Sequence, residues 1–286
     1  MTERCSSFTD EPLPGTATTE TGWLCIENDF GWGRDPFSGE TFAPEVGASI
    51  DRFAEERGLR VLLIRRPGRA GGVRGRMRVY VADSVPGRSS LRMFTVADYA
   101  EIPGLSVDDA AAGESTGPIA LVCTNGKRDV CCAVLGRPIA AALADQYSEP
   151  VVWECSHTGG HRFAPVLIVL PSGNTYGRVT DRQAQDALDA ARAGVVATAG
   201  LRGRSSIPPA EQAAEVAVRE LLGRVGPDVL RTGSDGDGIV TVRHEDGRAW
   251  RMTVTSEDLP PRVMSCGKKP SPARAWRVSD PIADGN

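Results

Sequence analysis

The sequence predicts an α/β (α+β) protein built from two strand-rich layers and a smaller C-terminal appendage. Two successive segments repeat the order strand, helix, strand, strand, strand, and a hairpin pattern follows near the C-terminus. The chain has 286 residues, of which 41% are hydrophobic, so it can fill ordinary hydrophobic cores in more than one unit.

The first layer begins after a polar stretch. Residues 1–22 are rich in Thr, Pro and Gly, which predicts an irregular arm in which Cys5 is incidental. The apolar run Trp23–Asn28 predicts the first strand. Cys25 lies inside this run and is expected to act as a small buried hydrophobe.

A helix and three strands complete the first layer. Val46, Ile50 and Phe53 recur at helical spacing and predict an amphipathic helix from about Pro44 to Arg57. The three strands that follow are predicted at Leu59–Arg66, Met77–Ser84 and Arg92–Val96. The arginine- and glycine-rich stretch between the first two of these strands predicts a solvated hairpin loop, with a basic docking surface as the alternative.

The second layer starts after residues 102–118, whose composition is typical of a linker and places a domain boundary near residue 115. Ile119–Cys123 predicts a buried strand, and Pro138 at a first helical position predicts a helix to about Tyr147. Strands at Val151–Cys155 and Ala164–Pro171 follow, and Thr180 with Gln183 forms a capping-box pattern that predicts another helix. This order of elements is typical of a thioredoxin-like layer.

The C-terminal appendage is predicted to contain one helix and one hairpin. Residues 202–209 are expected to form a second linker, followed by a helix from about Pro208 to Val225. The turn Glu245–Gly247 separates two strand patterns, as in a β-hairpin. The predicted division is therefore an N-terminal thioredoxin-like layer at 1–115, a second thioredoxin-like domain at 116–202 and the appendage at 203–286. Cys266 receives no role.

The charge of the chain excludes some classes of function. The formal net charge is only −4 and charged residues make up 24%, so nothing predicts binding to nucleic acid or to a membrane surface. The N-terminus lacks a signal-peptide pattern, and the longest aliphatic run, Val166–Leu170, is far too short to span a bilayer. We therefore expect a cytoplasmic protein whose seven cysteines stay reduced, which directs attention to metal binding or redox chemistry.

Four of the seven cysteines and two of the three histidines lie between residues 123 and 161. Thiolate and imidazole are the groups that bind zinc, copper and iron-sulfur clusters. Two pairs stand out, Cys123 with Cys132 and His157 with His161, and they flank a single strand-helix-strand unit. The spacing fits neither an ordinary zinc finger nor a Rieske motif, and the chain contains no C-x-x-C.

The motifs at these residues resemble the sucrase/ferredoxin-like family, relatives of the thioredoxin-like ferredoxins. The resemblance is carried by C-x-N-G-K-R-D-V-C-C, by W-E-C-S-H-T-G-G-H-R-F-A and by the following L-P-S-G-N-T-Y-G-R. It is specific over about residues 120–179, weaker before 115, and not recognisable after 205. It implies a 2Fe-2S cluster in which Cys123 and Cys132 bind one iron and His157 and His161 bind the other. Cys131 is an alternative to its neighbour Cys132, and Cys155 is a possible spare ligand.

The resemblance implies an electron-transfer protein rather than a stand-alone enzyme, with an unknown redox protein as electron donor or acceptor. If a ligand histidine has a ring N–H open to solvent, reduction should take up a proton. Two alternatives from other classes stay open. One is a structural or regulatory zinc-binding module, and the other is a thiol oxidoreductase that uses Cys131, Cys132 or Cys155.

Overall fold

The computed structural model describes residues 4–28, 31–37, 41–69 and 75–283. Within them, the predicted mixed α/β fold is confirmed: a large sheet with few helices, consistent with a thioredoxin-like fold. The first layer consists of β1 (Gly22–Glu27), α1 (Pro44–Glu55), β2 (Leu59–Arg65), β3 (Met77–Asp83), β4 (Ser90–Val96) and β5 (Glu114–Ser115). Residues 70–74 of the predicted arginine-rich loop lie outside the described residues.

The second layer repeats the order of the first. It consists of β6 (Ile119–Cys123), α2 (Val130–Ala144), β7 (Val152–Cys155), β8 (Val166–Leu170), β9 (Asn174–Gly177), α3 (Asp181–Arg192) and β10 (Leu201–Arg204). The predicted capping box is present, since the hydroxyl of Thr180 accepts from the backbone N–H of Gln183 and the Gln183 side chain accepts from the backbone of Thr180.

Both layers belong to one ten-stranded sheet, with the strand order β10-β9-β8-β6-β7-β2-β1-β3-β4-β5. In each layer the two strands that flank the helix are parallel, β1 with β2 and β6 with β7, and the later strands are antiparallel. The order outward from the centre is therefore the same on both sides, and the layers meet where β2 pairs antiparallel with β7. The predicted boundary at residue 115 remains a prediction about folding units.

The side chains of the sheet alternate between two buried faces. In β1, Trp23 and Cys25 point to one face and Leu24 and Ile26 to the other. The first face is a single apolar cluster that runs through both layers, whereas the second is divided between α1 in one layer and α2 with α3 in the other. Cys25 is fully buried in the shared cluster, in agreement with its expected role as a hydrophobe.

The start of α2 differs from the prediction. The helix begins at Val130 rather than near Pro138, because the side chain of Asp129 caps it by accepting from the backbone N–H of Cys131. Pro138 lies inside the helix and leaves the carbonyl of Val134 without a helical donor. Val134 is 44% exposed, so water can hydrate that carbonyl. The earlier start places Cys131 and Cys132 in the first helical turn.

The predicted linker at 202–209 begins within a strand. Leu201–Arg204 pairs with β9, and the side chains of Arg202 and Arg204 are almost completely buried. Arg204 donates to the carbonyls of Ser84 and Pro227 and forms an ion pair with Asp228. A composition rich in Arg, Gly and Ser suggested exposure, and these internal hydrogen bonds are the reason that the strand is nevertheless buried.

The appendage contains the predicted helix and hairpin and further strands. Its elements are α4 (Pro209–Leu222), β11 (Leu230–Ser234), β12 (Ile239–His244), β13 (Ala249–Arg262), β14 (Ser271–Val278) and β15 (Ile282–Ala283). They form a second sheet in the order β11-β12-β13-β14, with β15 paired to β13, and α4 packs on its apolar face. None of the helices in the described ranges combines the length and apolar character needed to cross a bilayer.

A buried ion pair lies at the junction between the two layers. Strands β2 and β7 share only two register pairs, Ile64 with Cys155 and Arg65 with Glu154. The guanidinium of Arg65 donates to Oε2 of Glu154 from Nε at 2.8 Å and from Nη2 at 2.6 Å, and Thr124 donates to the same oxygen at 2.9 Å. The two side chains are only 8% and 6% exposed. Loss of one partner would leave the other charge buried and uncompensated.

We predict that Arg65→Ala lowers the free energy of unfolding by about 3–5 kcal/mol, because the Glu154 carboxylate then lies buried without a cation. Urea unfolding measures the change. Arg274→Ala is the matched control, since Arg274 pairs with Asp258 on the surface and should contribute little. Equal stability of the Arg65→Ala variant and wild type would contradict a structural role for this pair.

Candidate metal centre

Three of the four predicted ligands meet at one edge of the sheet. Strands β6 and β7 are parallel, so their C-terminal ends lie side by side, and α2, which forms the crossover between them, begins at the same edge. Cys123 is the last residue of β6 and lies opposite Cys155 of β7. Cys132 lies in the first turn of α2, and His157 follows the end of β7 by two residues.

The ligand atoms of Cys123, Cys132 and His157 all lie within 4.8 Å of one another. Both cysteines are 1% exposed, and the histidine is partly exposed. The ring of His161 lies beside that of His157, with 5.1 Å between the two ring centroids. We call Cys123, Cys132, His157 and His161 the Cys–His group. Its two thiols are inside the protein and its two imidazoles are nearer the surface.

Two glycines bring the imidazoles to the same place. Gly159 and Gly160 have φ values of +92° and +70°, in the left-handed region that favours glycine. A Cβ on Gly160 would lie 2.3 Å from the guanidinium of Arg202, and a Cβ on Gly159 would lie 2.3 Å from the hydroxyl of Thr18. The turn between His157 and His161 therefore has no room for larger residues.

The two thiols of the Cys–His group differ in acidity. Hydrogen bonds from the Cys132 thiol, the His157 ring and the Thr158 backbone hold the pKa of Cys123 well below its usual range, although burial opposes this. The same bond to Cys123, together with burial, raises the pKa of Cys132. The thiol of Cys123 is thus the more acidic of the pair, and the thiol of Cys132 is its hydrogen-bond donor.

The two imidazoles have free ligand atoms. Nδ1 of His157 and Nδ1 of His161 are buried and find no hydrogen-bond partner among the described residues. Burial lowers the pKa of His161 below its ordinary value, even though Asp129 raises it. Nε2 of His161 lies 3.7 Å from Oδ2 of Asp129. A neutral ring with one unsatisfied buried nitrogen is the form that binds metals.

The side chain of Asp129 is fully buried and is held by several donors. Its Oδ1 accepts from the backbone N–H of Cys131 at 3.0 Å, and its Oδ2 accepts from the N–H of Cys266 at 2.8 Å and from the hydroxyl of Ser265 at 3.0 Å. Burial alone would raise the pKa of Asp129, but these hydrogen bonds lower it to about 2. Asp129 is therefore a carboxylate.

A second group of sulfur atoms lies on the other side of Asp129. Cys5, Cys131 and Cys266 have Sγ atoms that, with one oxygen of Asp129, all lie within 4.8 Å of one another. We call these three residues the three-cysteine group. Cys5, predicted to be incidental, is completely buried and packs beside Cys131. Cys131 and Cys132 are adjacent on a helix and point about 100° apart, so each faces a different group.

The remaining candidate from the sequence, Cys155, belongs to neither group. It lies in the apolar cluster shared by the two layers, and burial raises the pKa of its thiol well above the ordinary value. Its surroundings are those of a structural cysteine.

A sequence model of the family described as sucrase/ferredoxin-like matches residues 40–203, which is more than half of the chain. The protein therefore belongs to the sucrase/ferredoxin-like family, as the motifs around Cys123 and His157 indicated. No curated protein and no solved structure gives a match.

Proposed function

We propose that this protein is an electron carrier with a 2Fe-2S cluster bound by Cys123, Cys132, His157 and His161. The observation that carries the proposal is the convergence of the ligand atoms of Cys123, Cys132 and His157 within 4.8 Å, beside a fourth residue, His161, with an unsatisfied buried nitrogen. Membership of the sucrase/ferredoxin-like family supports the same proposal.

The donor set fits such a cluster. Two thiolates and two neutral imidazoles supply the four protein positions that a 2Fe-2S core requires. Cys123 and Cys132 would hold one iron, and His157 and His161 would hold the other. When bound, the cluster accepts and releases one electron at a time, and the chain sets its potential and its access to partners.

Asp129 is suited to orient His161. An imidazole that binds metal through one nitrogen commonly directs its other nitrogen to a carboxylate, which fixes the ring and raises its basicity. Nε2 of His161 faces Oδ2 of Asp129 at 3.7 Å. A proton taken up by this ring on reduction would thus be held near a carboxylate whose pKa is about 2 and which stays ionised.

The thiol oxidoreductase alternative has less support. Thiol exchange requires an accessible thiolate with a lowered pKa. Cys131, Cys132 and Cys155 are each at most 1% exposed, and the pKa values of Cys132 and Cys155 are raised rather than lowered. A zinc ion in the Cys–His group is the competing occupant, and metal analysis separates it from iron.

A surface at the start of α2 is suited to a redox partner. Val130 and Val134 are 45% and 44% exposed and lie one helical turn apart. Three basic side chains are exposed around them, Lys127, Arg128 and Arg137. We call these five residues the α2 patch. An apolar centre with a basic rim, next to Cys131 and Cys132, is complementary to an acidic redox protein.

The first prediction from the proposed function concerns the iron and sulfide content and the ligands of the cluster. The purified protein should contain about two irons and two acid-labile sulfides per chain. Replacing Cys123, Cys132, His157 or His161 by Ala should abolish or strongly alter the visible absorption of the cluster, because each removes a ligand. Cys25→Ala removes a buried thiol of β1, which lies three strands from β6 in the sheet, so it is the matched control and should keep the cluster.

The same series tests the register of the cysteine ligands. Cys131→Ala should retain the cluster, since Cys131 faces the three-cysteine group. If Cys131→Ala loses the cluster while Cys132→Ala keeps it, the assigned ligand is wrong by one residue. One zinc at the Cys–His group, without labile sulfide, would overturn the electron-carrier proposal.

The second prediction concerns the midpoint potential. Because imidazole ligands are neutral and thiolates are anionic, the potential should lie above that of all-cysteine clusters. Between the pKa values of the oxidised and reduced states, the potential should fall by roughly 59 mV per pH unit, as expected for one proton per electron. Protein-film voltammetry measures the slope. His157→Cys should lower the potential, and a midpoint independent of pH would contradict proton coupling.

The third prediction concerns the α2 patch. The double variant Lys127→Glu, Arg128→Glu should exchange electrons more slowly with a strongly acidic ferredoxin, which is used as a probe. The rate of this exchange should also depend less on salt concentration than in wild type. Stopped-flow absorbance follows the reaction. The control is Arg251→Glu, which also reverses the charge of an exposed basic residue but lies in β13 of the other sheet. Equal slowing by both variants would mean that the patch is not the docking surface.

A further inference from the structure

The three-cysteine group gathers side chains from three distant parts of the chain. Cys5 comes from the N-terminal arm, Cys131 from the first turn of α2, and Cys266 from the segment between β13 and β14. Cys5 and Cys266 also lie outside the residues that the sucrase/ferredoxin-like family model matches. Two of the three cysteines therefore lie outside the part of the chain by which the family is recognised.

The distances within the group are within about 0.5 Å of those in a tetrahedral metal site. A zinc ion with Zn–S bonds of about 2.3 Å separates two sulfur ligands by roughly 3.8 Å and a sulfur from a carboxylate oxygen by roughly 3.5 Å. Sγ of Cys266 lies 3.6 Å from Sγ of Cys5 and 3.3 Å from Sγ of Cys131. Sγ of Cys5 lies 3.5 Å from each oxygen of Asp129.

Asp129 can supply the fourth ligand. Its Oδ1 accepts one backbone hydrogen bond, from Cys131, and the Cys5 thiol is directed at the same oxygen. When the Cys5 thiol loses its proton, one lone pair of Oδ1 becomes available. Ser6 donates from its hydroxyl to Sγ of Cys131 at 3.2 Å, which is the kind of outer hydrogen bond that stabilises a metal-bound thiolate.

We propose that Cys5, Cys131 and Cys266, with Asp129 as the fourth ligand, bind one zinc ion that links the N-terminal arm and the β13–β14 segment to α2. On binding, the three thiols release three protons to solvent, and no electron is transferred because zinc is not redox-active. The resulting site carries a net charge of about −2, which the N-terminus of α2 and the backbone N–H groups of Cys131 and Cys266 partly offset.

A disulfide between Cys131 and Cys266 explains less of the geometry. It would use two of the three sulfurs and would require an oxidant, whereas Cys5 and the buried carboxylate would have no part in it. A tetrahedrally coordinated zinc ion uses all three sulfurs and the carboxylate. The proposal is also independent of the occupant of the Cys–His group, because the two groups share no sulfur ligand.

The test is the zinc content of the full chain, expressed with added zinc and purified with a thiol reductant. Wild type should hold about one zinc more than Cys5→Ser and Cys266→Ser, as measured by elemental mass spectrometry. Cys25→Ser removes a buried thiol outside both groups and should retain the wild-type zinc content. Cys123→Ser should keep this zinc as well, which distinguishes failure of the zinc site from failure of the proposed cluster.

Equal zinc content in wild type, Cys5→Ser and Cys266→Ser would overturn the proposal. A second measurement on wild type guards against misfolded variants. Cys266 is the partly exposed member of the group, so a chelator should increase its alkylation rate by iodoacetamide at least about tenfold, because zinc-bound thiolate is protected. A rate that the chelator does not change, or a Cys131–Cys266 disulfide in the peptide map, would also overturn it.

Discussion

The carboxylate of Asp129 lies between the two groups of sulfur atoms and is completely buried. A buried charge persists only where hydrogen bonds satisfy it, and Asp129 accepts from two backbone N–H groups and one hydroxyl. The hydrogen bond from Cys131 caps the N-terminus of α2, and the one from Cys266 fixes the backbone at that residue. The direction in which Cys131 and Cys132 point follows from where the helix starts, so both groups depend on this cap.

The second constraint is the parallel crossover from β6 through α2 to β7. It brings the last residue of one strand, the first turn of a helix and the residues after the next strand to a single edge. The N-terminal layer has the same crossover, from β1 through α1 to β2. Among the described residues, no set of three or more clustered metal-ligating side chains involves β1 to β5. The fold alone thus does not create a metal site. The Cys and His residues at that edge of the second layer distinguish it from the first layer.

Much of the fold and of the Cys–His group could be predicted from the sequence, because the sequence patterns that indicate them are local. The strands are continuous apolar runs, the capping box at Thr180 has a fixed spacing, and His157 and His161 are separated by a turn that only glycine fits. The start of α2 was missed because Pro138 is a strong first-turn signal, whereas the cap at Asp129 precedes a run with weak helical periodicity. The sequence does not predict the strand at Leu201–Arg204, because composition does not reveal that Arg204 finds its hydrogen-bond acceptors inside the protein.

No local sequence pattern brings the three members of the three-cysteine group together. Cys5 is 124 residues from Asp129, and Cys131 is 135 residues from Cys266. Spacing motifs describe ligands that share a loop or a hairpin, and these thiols meet only after the arm and the β13–β14 segment have packed against α2. A sequence pattern indicates one part of this arrangement, the adjacent pair Cys131 and Cys132, whose side chains cannot face the same site on one helix.

The most direct test of the electron-carrier proposal is pulsed electron paramagnetic resonance of the reduced protein, with histidine labelled by ¹⁵N. His157 and His161 as ligands require strong hyperfine coupling from two directly bound nitrogens, and only one of these two couplings should remain in the His161→Ala variant if that variant retains the cluster. A reduced cluster without coupling to histidine nitrogen, or a protein that contains zinc and gives no signal, would contradict the assignment of the Cys–His group.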